Sequence, residues 1–421
     1  MKRLGNLWPD VTNPDNGLRA VVEGTRFKRY QREVQRLLYP EQAVAEDPTL
    51  YHRIDPAKGR LYAEKLCGEL AAGTWKHRPP RHKRQFCRNR ASSGGKWRDL
   101  YIPTLDDHII AHMVMDASMD AFLRGMHPHS CGSVPGRGIS HVNRCVKKWM
   151  KHDKELRYFV KLDIRKFFDT IDRDRLMGVL ESKIKDKAVL NVFRQIIDSA
   201  PTACPEGYYT SPWLANLYIE ELDWFAEQQL YKVRRGKRIK YIRHYLRYVD
   251  DILLLGTSRK DLEKAVRAIA KWLRDNRGLE IKPTWEIKAI GVHETVGGEW
   301  RLKPGTYWCD ICGYKFCKDA TILRDGIYLA TRRLAKQMGK QKTYTVHQCA
   351  SLNSRIGWAS HCDSKSFVRL EIEPYVNLEA TRRIISNVDK ERKCRSDKTP
   401  GRGGQPGTSD RPAELPADPG G

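Results

Sequence analysis

Two adjacent carboxylates, Asp250 and Asp251, stand between two short apolar runs, and they constrain the fold more than any other feature of the sequence. The flanking runs, residues 245–248 and 252–255, are rich in the Leu, aromatic and β-branched side chains that are typical of buried strands. We therefore predict a β-hairpin with the two aspartates at its turn. Because neighbouring carboxylates repel each other and are costly to bury, the pair indicates either a solvated turn or a cation-binding site.

The charge of the chain limits the classes of partner. Its 421 residues, enough for two or three packed units, carry 77 Lys+Arg against 51 Asp+Glu, a net charge of +26. A basic surface attracts polyanions, so nucleic acid is the first candidate partner. The sequence contains no run apolar enough for a membrane span and no signal-peptide core, so we expect a cytoplasmic protein with no membrane partner. Its eleven cysteines are then expected to be thiols or metal ligands rather than disulfides.

Two basic segments are candidate nucleic-acid contacts. Residues 76–98 are rich in Arg and Lys, with Phe86 and Trp97 interleaved, and predict a hairpin whose tip is basic. Clustered Arg beside aromatics favours phosphate contact, although a solvated charged loop is the alternative. The loop at 130–138, which contains Arg137, has too much Gly and Pro for regular structure. It is compatible with a close approach to a nucleic-acid backbone or with a plain connector.

A third carboxylate, Asp163, ends a predicted strand at 158–163. If this strand pairs with the Asp250-Asp251 hairpin, the three carboxylates converge. Such a cluster on a basic protein suits two Mg²⁺ ions about 3.5–4 Å apart, which clamp the attacking and leaving oxygens of a phosphoryl displacement.

The surrounding segments predict an α+β fold with helices on one face of a sheet. Thr104 is expected to cap a helix at 105–123, and Asp172 one that runs through 180. Ser211 is a predicted N-cap with Pro212 in the first turn of a helix that continues to about residue 230. Ser258 opens a further helix that Gly278 ends, and residues 279–282 are predicted to form a short strand.

The C-terminal part contains a possible metal motif and a helical region. Cys309 and Cys312 have the spacing of half a zinc site, but the nearest second pairs, His347/Cys349 and His361/Cys362, match no standard spacing. We favour structural thiols in a hairpin, and zinc binding by this pair stays open. Residues 327–390 are predicted to be helical, with a break at Gly357-Trp358, and the tail from residue 393 is predicted to be disordered.

These motifs, in this order, resemble motifs A, B and C of reverse transcriptases: Asp163 to Phe168, Gly207 to Asn216-Leu217-Tyr218, and Tyr248-Val249-Asp250-Asp251. Further segments resemble the fingers motif (96–98), motif D (278–282), the primer grip (310–314) and the thumb of bacterial retroelement enzymes (357–364). The resemblance implies a right-hand polymerase. Its expected parts are an N-terminal segment with fingers at 1–155, a palm at 156–316, a helical thumb at 317–392 and a disordered tail at 393–421.

The resemblance also implies roles for individual residues. Asp163, Asp250 and Asp251 would hold two Mg²⁺ ions, and Lys282 is a candidate proton donor to pyrophosphate. Phe168 would act as the steric gate against a ribose 2′-hydroxyl. The expected contacts of the incoming nucleotide are Lys96, Arg98, Phe168, Glu206 and Gly207. The expected nucleic-acid contacts are Arg88, Arg90, Arg137, Tyr248, Gly313 and Tyr314.

The implied function is RNA-directed DNA polymerisation from dNTPs, on an RNA template and from a DNA or RNA primer. A bacterial retroelement, a phage or an antiviral defence cassette would encode it, with a cognate non-coding RNA or an accessory protein as further partners. Two alternatives stay open: an RNA-binding, maturase-like protein with an idle polymerase, and a right-hand polymerase that makes RNA. Glu206 stands where the family often has Gln, and adds negative charge near the triphosphate.

Overall fold

The computed structural model describes residues 3–41, 53–88, 95–296, 299–397 and 413–414. The helices of these ranges are α1 (Trp8–Val11), α2 (Pro14–Thr25), α3 (Arg32–Leu38), α4 (Pro56–Ala71), α5 (Leu105–Leu123), α6 (Ile139–His152), α7 (Phe167–Thr170), α8 (Arg173–Lys183), α9 (Lys187–Asp198), α10 (Ser211–Tyr218), α11 (Glu220–Gln228), α12 (Arg259–Arg277), α13 (Asp325–Met338), α14 (Val346–Ala359), α15 (Lys365–Glu371) and α16 (Leu378–Asp397).

The strands of the same ranges are β1 (Arg81–Arg88), β2 (Gly95–Ile102), β3 (Ser130–Cys131), β4 (Tyr158–Asp163), β5 (Tyr231–Arg234), β6 (Lys237–Lys240), β7 (His244–Tyr248), β8 (Asp251–Gly256), β9 (Lys288–Ala289), β10 (His293–Val296), β11 (Glu299–Leu302), β12 (Cys309–Ile311), β13 (Tyr314–Phe316), β14 (Thr321–Leu323), β15 (Thr343–Tyr344) and β16 (Ala413–Glu414).

The chain divides into two compact units. The first comprises residues 1–20, 64–87 and 97–319, and the second comprises residues 21–63, 88–96 and 320–421. The whole segment predicted to be the palm lies in the first unit, while the expected bounds of fingers, palm and thumb stay a prediction. Within the described ranges, the helices are too short or too polar to cross a membrane.

The core of the first unit is a five-stranded sheet in the order β3-β7-β8-β4-β9. Strand β8 pairs antiparallel with both β7 and β4, and β3 pairs parallel with β7. Val160, Ile252 and Leu254 lie at the centre of the sheet and are fully buried. Helix α12 packs on β8 and β4, and α11 packs on β7. This arrangement confirms the α+β class, and it places β3 in a loop that we predicted to be irregular.

Local capping fixes where several helices begin. Thr104, Asp172 and Ser258 each accept a hydrogen bond from the backbone N–H three residues on, at 3.3, 2.8 and 3.3 Å. Each such bond satisfies one of the N–H groups that a helix start leaves unpaired. Gly278 ends α12 with a left-handed φ of +66°. These four positions agree with the sequence prediction.

The segment predicted as one long helix from Ser211 is two helices. Its N-cap is Thr210 rather than Ser211, whose hydroxyl instead donates to the carbonyl of Pro205 at 2.8 Å. The helix ends at Tyr218, because Ile219 leaves the helical region with φ −115° and ψ 16°. The hydroxyl of Ser211, predicted to cap the helix, therefore bonds the preceding loop instead.

Residues 279–282 do not form the regular strand that we predicted. Ile281 makes one isolated antiparallel bridge with Ile164. Two further backbone bonds tie this segment to the end of β4, from Arg165 N to Glu280 O and from Lys282 N to Asp163 O, both at 2.8 Å. The segment is therefore held beside β4 without forming a regular strand.

Helices α13 to α16 lie in the C-terminal segment of the second unit, where α14 packs against α13, α15 and α16. Gly357 and Trp358 lie in the last turn of α14 rather than at a break. Helix α16 runs to Asp397, past the predicted start of the tail at 393. Strand β16, at residues 413–414 of the predicted tail, pairs with β15. The rest of the predicted tail, 398–412 and 415–421, lies outside the described residues.

Candidate active site

The two aspartates occupy different positions in the hairpin. Tyr248 pairs with Asp251, so Val249 and Asp250 alone make the turn and Asp251 is the first residue of β8. The prediction that both aspartates form the turn is therefore wrong by one residue. Val249 has φ +58°, a region that β-branched residues rarely adopt and that costs on the order of 1–3 kcal/mol. The surroundings have to hold this turn in place.

A buried guanidinium lies directly beneath the turn. Arg247 and Asp223 have no solvent exposure. Arg247 donates from Nε and Nη2 to the two carboxylate oxygens of Asp223, each at 2.7 Å. Its Nη1 donates to Asn216 Oδ1 at 2.7 Å and to the carbonyl of Val249 at 3.0 Å. One side chain therefore joins β7, α10, α11 and the turn.

The short strand β3 encloses the turn from the other side. Val249 N donates to the carbonyl of Cys131 at 3.1 Å. Gly132 has φ +84°, and a Cβ added there would lie 2.7 Å from Val249 Cγ2. Asn216 Nδ2 donates to the carbonyl of Gly132 at 2.8 Å, so the loop is tied to the same network. Only glycine fits at position 132 without displacing the turn.

The third carboxylate reaches the turn through the register of the sheet. Antiparallel pairing of β4 with β8 sets Asp163 opposite Asp251. Such partners have Cα atoms about 4.5–5.5 Å apart. Burial, followed by the charges of Asp251 and Asp163, raises the pKa of Asp250 to about 6. The three carboxylates therefore affect one another, and a cation at this place relieves their repulsion.

Lys282 lies against the same cluster. Its Nζ is 2.8 Å from both oxygens of Asp163, and the geometry directs its hydrogen bond to Oδ2. Asp163 Oδ1 is shielded from solvent, and no hydrogen-bond donor among the described residues is directed at it. A charged oxygen in this state has lone pairs to offer. Together with the two carboxylates of the hairpin, it forms the set of hard oxygen donors that Mg²⁺ prefers.

The loop before α10 packs closely on β2. Gly207 has φ +113°, and a Cβ there would lie 2.5 Å from the carbonyl oxygen of Tyr101. Tyr101 N donates to the carbonyl of Glu206 at 2.8 Å. The Glu206 carboxylate forms an ion pair with the guanidinium of Arg98. The unusual carboxylate is therefore paired with the residue that we expected to bind the triphosphate.

The other two predicted nucleotide contacts are Phe168 and Lys96. Phe168 is half-buried on α7, with its ring 5.5 Å from that of Phe167. Lys96 is exposed on β2.

The predicted nucleic-acid contacts differ in their exposure to solvent. Arg137 donates to the carbonyl of His127 at 2.8 Å and so holds its own loop. Tyr248 is half-buried, Gly313 lies in the β12–β13 turn with φ +83°, and Tyr314 is 2% exposed. Arg88 ends β1, where only the backbone is described, and Arg90 lies outside the described residues. A role in nucleic-acid binding stays a prediction for each of them.

Exposed aromatics on the β1–β2 hairpin support the predicted contact surface. Phe86 and Trp97 are 46% and 54% exposed, and their rings pack edge to face with centroids 5.3 Å apart. The guanidinium of Arg84 lies 5.4 Å from the centroid of Trp97. Exposed rings beside cations are typical of surfaces that stack bases and contact phosphates.

The Cys309–Cys312 pair is a hairpin element. Cys309 is fully buried on β12, and Cys312 lies at the turn with φ +49°. Among the described residues, neither thiol belongs to a group of three potential metal ligands. This placement fits the structural thiols that we favoured.

The residues to which the sequence prediction gave no role in the site are Arg247, Asp223 and Asn216, although Asn216 lies in the segment that resembles motif B. One signal was present, because Arg247 is a charge within an apolar strand and a buried charge requires a partner. The position of that partner, Asp223 on α11, is a tertiary contact that local patterns do not encode.

Part of the chain is similar to known proteins. Residues 83–284 match the family model described as "Reverse transcriptase (RNA-dependent DNA polymerase)". Protein YkfC of Escherichia coli is 26% identical over 208 residues, which cover 42% of this chain and 55% of YkfC. Group II intron-encoded protein LtrA of Lactococcus lactis subsp. cremoris is 27% identical over 215 residues, covering 49% of this chain and 35% of LtrA.

A third relative matches over a longer range. The reverse transcriptase of retron Ec73 from Escherichia coli is 23% identical over 315 residues, covering 71% of this chain and 90% of the relative. By contrast, the chain spans only about half the length of YkfC and about a third of the length of LtrA.

The buried ion pair predicts an asymmetric response to mutation. We expect Arg247→Met to lower the free energy of unfolding by about 3–5 kcal/mol, because Asp223 is left buried without its charge partner. The matched control is Arg243→Met, whose guanidinium is 49% exposed and bonds Asp153. It should cost about 1 kcal/mol or less. Equilibrium chemical denaturation followed by tryptophan fluorescence measures both, and equal losses would contradict the assignment.

Proposed function

We propose that this chain, in which residues 83–284 form a reverse transcriptase domain, is an RNA-directed DNA polymerase. The observation that carries the proposal is the convergence of Asp163, Asp250 and Asp251, set by the β4–β8 register and the β7–β8 turn. The net charge of +26 suits an RNA template with a bound primer. Similarity to an intron-encoded protein and a retron reverse transcriptase supports a bacterial retroelement as the source.

The cofactor in this proposal is a pair of Mg²⁺ ions held by the three aspartates. When bound, they supply positive charge to the attacking hydroxyl and to the pyrophosphate leaving group. Two features of the residues support the fit. A cation relieves both the burial of the Asp250 charge and its repulsion by Asp251 and Asp163, which together raise the pKa of Asp250. Asp163 Oδ1 is buried and accepts no hydrogen bond from the described residues, although Lys282 Nζ lies 2.8 Å away.

The chain's own side chains position the nucleotide and move a proton. Arg98 offers a forked donor to the triphosphate, provided that its ion pair with Glu206 opens. Lys282, beside Asp163, is placed to protonate the leaving pyrophosphate. Phe168 excludes a ribose 2′-hydroxyl, and the Gly207 loop lies under the template–primer base pair. Catalysis in this scheme is mainly positioning and electrostatics.

A maturase-like protein with an idle polymerase is less well supported, because the three carboxylates and Lys282 are all present and adjacent. Diversification, defence and mobility of the element are equally compatible with these residues. A cytoplasmic location and a cognate non-coding RNA or accessory protein are parts of the same proposal.

The first prediction from the proposed function concerns the metal ligands. We expect Mg²⁺-dependent incorporation of dNTPs on a primed RNA template, and a loss of about 10³-fold or more in Asp250→Ala and Asp251→Ala. The control is Asp275→Ala, an exposed carboxylate on α12 that pairs with Lys271. Primer-extension rates measure the effect. Full activity in Asp250→Ala or in Asp251→Ala would show that the substituted aspartate is not a metal ligand.

The second prediction concerns sugar selection. Phe168→Ala should raise incorporation of ribonucleotides relative to deoxynucleotides by about 10- to 100-fold, because the ring no longer blocks the 2′-hydroxyl. Steady-state kcat/KM values for each nucleotide provide the ratio. A wild-type enzyme that already prefers ribonucleotides would favour the RNA-synthesising alternative.

The third prediction concerns the Arg98–Glu206 ion pair. Glu206→Gln should lower KM for dNTPs by about fivefold at unchanged kcat, since Arg98 no longer has to exchange a carboxylate for a triphosphate. The control is Glu263→Gln, a surface carboxylate paired with Arg267 on α12. A higher KM in Glu206→Gln would show instead that the carboxylate itself contacts the substrate.

A further inference from the structure

Outside the carboxylate cluster, a thiol, an imidazole and a second carboxylate meet in the first unit. His293 lies on β10, Cys317 directly follows β13, and Asp319 is two residues further on. His293 Nδ1 is 2.9 Å from Asp319 Oδ1 and 3.5 Å from Cys317 Sγ. Cys317 Sγ is 3.1 Å from the same Asp319 oxygen. Three different donor atoms therefore form a small triangle.

The size of this triangle matches one face of a tetrahedral zinc site. With Zn–N and Zn–O bonds of about 2.0–2.1 Å and a Zn–S bond of about 2.3 Å, tetrahedral donors lie about 3.3–3.6 Å apart. The three observed separations, 2.9, 3.1 and 3.5 Å, approach this range. Movements of a few tenths of an ångström would open the triangle enough for a cation to sit above it.

The donor chemistry selects the kind of cation. One thiolate, one carboxylate and one neutral imidazole carry two negative charges, which balance a divalent ion. Sulfur and imidazole favour Zn²⁺ over Mg²⁺, whereas the aspartates at the β7–β8 turn offer only hard oxygens. Cys317 is 2% exposed, while the Asp319 side chain is 43% exposed. One side of the cluster is therefore open for a water ligand.

The backbone around the cluster holds the donors in place. His293 N donates to Asp319 Oδ2 at 3.3 Å, and Lys318 N donates to the carbonyl of Gly291 at 2.9 Å. A Cβ added at Gly291 would lie 3.1 Å from Cys317 Cβ, so the two chain segments are in close contact. The ring of Trp308 packs edge to face on His293 with centroids 5.2 Å apart. Such support orients the first ligands before a metal arrives.

We propose that His293, Cys317 and Asp319 bind one Zn²⁺ ion, with water as the fourth ligand, and that the ion links β10 to the end of the β12–β13 hairpin. The site is separate from the catalytic aspartates and does not depend on the polymerase proposal. The β12–β13 hairpin contains Gly313 and Tyr314, so the ion stabilises the segment that resembles a primer grip.

A second group of potential ligands provides an internal comparison. His129, His141 and Cys145 also lie near one another, with Cys145 Sγ 4.0 Å from His129 Nδ1 and 3.5 Å from His141 Nε2. This triangle is wider, and two of its members are one helical turn apart on α6. We assign the zinc to the tighter cluster at His293.

The test is zinc binding by the full-length chain, purified with Mg²⁺ present and dialysed against metal-free buffer. Elemental analysis should find about one zinc per chain in the wild type. We expect Cys317→Ser to raise the dissociation constant for Zn²⁺ by at least about 100-fold. Replacement of zinc by Co²⁺ should produce a thiolate-to-cobalt charge-transfer band that Cys317→Ser lacks. The control Cys145→Ser should keep both the zinc and the band.

Three results would overturn the assignment: a wild-type chain that retains no zinc, a Cys317→Ser chain that binds zinc as the wild type does, or loss of the band in Cys145→Ser instead. Circular dichroism checks that each variant is folded. Asp319→Asn is the milder variant, because its side chain is largely at the surface, and it should also weaken zinc binding. Its melting temperature should no longer rise when zinc is added, whereas that of the wild type should.

Discussion

The ion pair between Arg247 and Asp223 is the contact on which the candidate active site depends. Both side chains are excluded from water, and removing two charges from solvent is costly unless their remaining donors and acceptors are satisfied. Here Ser130, Tyr245 and Asn216 complete the hydrogen bonding around the pair. The pair therefore joins four parts of the fold, and the turn that contains Asp250 is held in position by a charge that is buried beneath it.

The turn itself is locally unfavourable in two ways. Val249 has a left-handed backbone conformation, and Asp250 shares its surroundings with two more carboxylates. Neither feature stabilises the fold, and both are typical of functional sites, where unfavourable local conformations are retained. Lys282 offsets part of the negative charge from one side. The remaining repulsion explains why the structure suits cations at this place.

Sequence patterns were most reliable where the physics is local. The caps at Thr104, Asp172 and Ser258 bond a backbone group only three residues away, so they were predictable from neighbouring residues. Errors arose where a distant contact decided the outcome. Ser211 turns to Pro205 instead of capping its helix, and Ser130–Cys131 becomes a strand only because β7 lies beside it.

The site shows the same division. The order of the motifs along the chain predicts that Asp163 lies near the aspartate pair, and the β4–β8 register sets it opposite Asp251. The pairing of Arg98 with Glu206 spans 108 positions, so no local pattern encodes it. The partner of Arg247 was hidden for the same reason, although the charge within an apolar strand was visible.

Positions 206 and 207 are neighbours with opposite tolerance to change. At 207 the carbonyl of Tyr101 occupies the space of any side chain, so the backbone there admits glycine alone. At 206 the side chain projects toward Arg98 and stays partly in solvent. A substitution at 206 therefore changes the group that faces Arg98 and leaves the backbone of the loop in place. A substitution at 207 forces the loop away from β2.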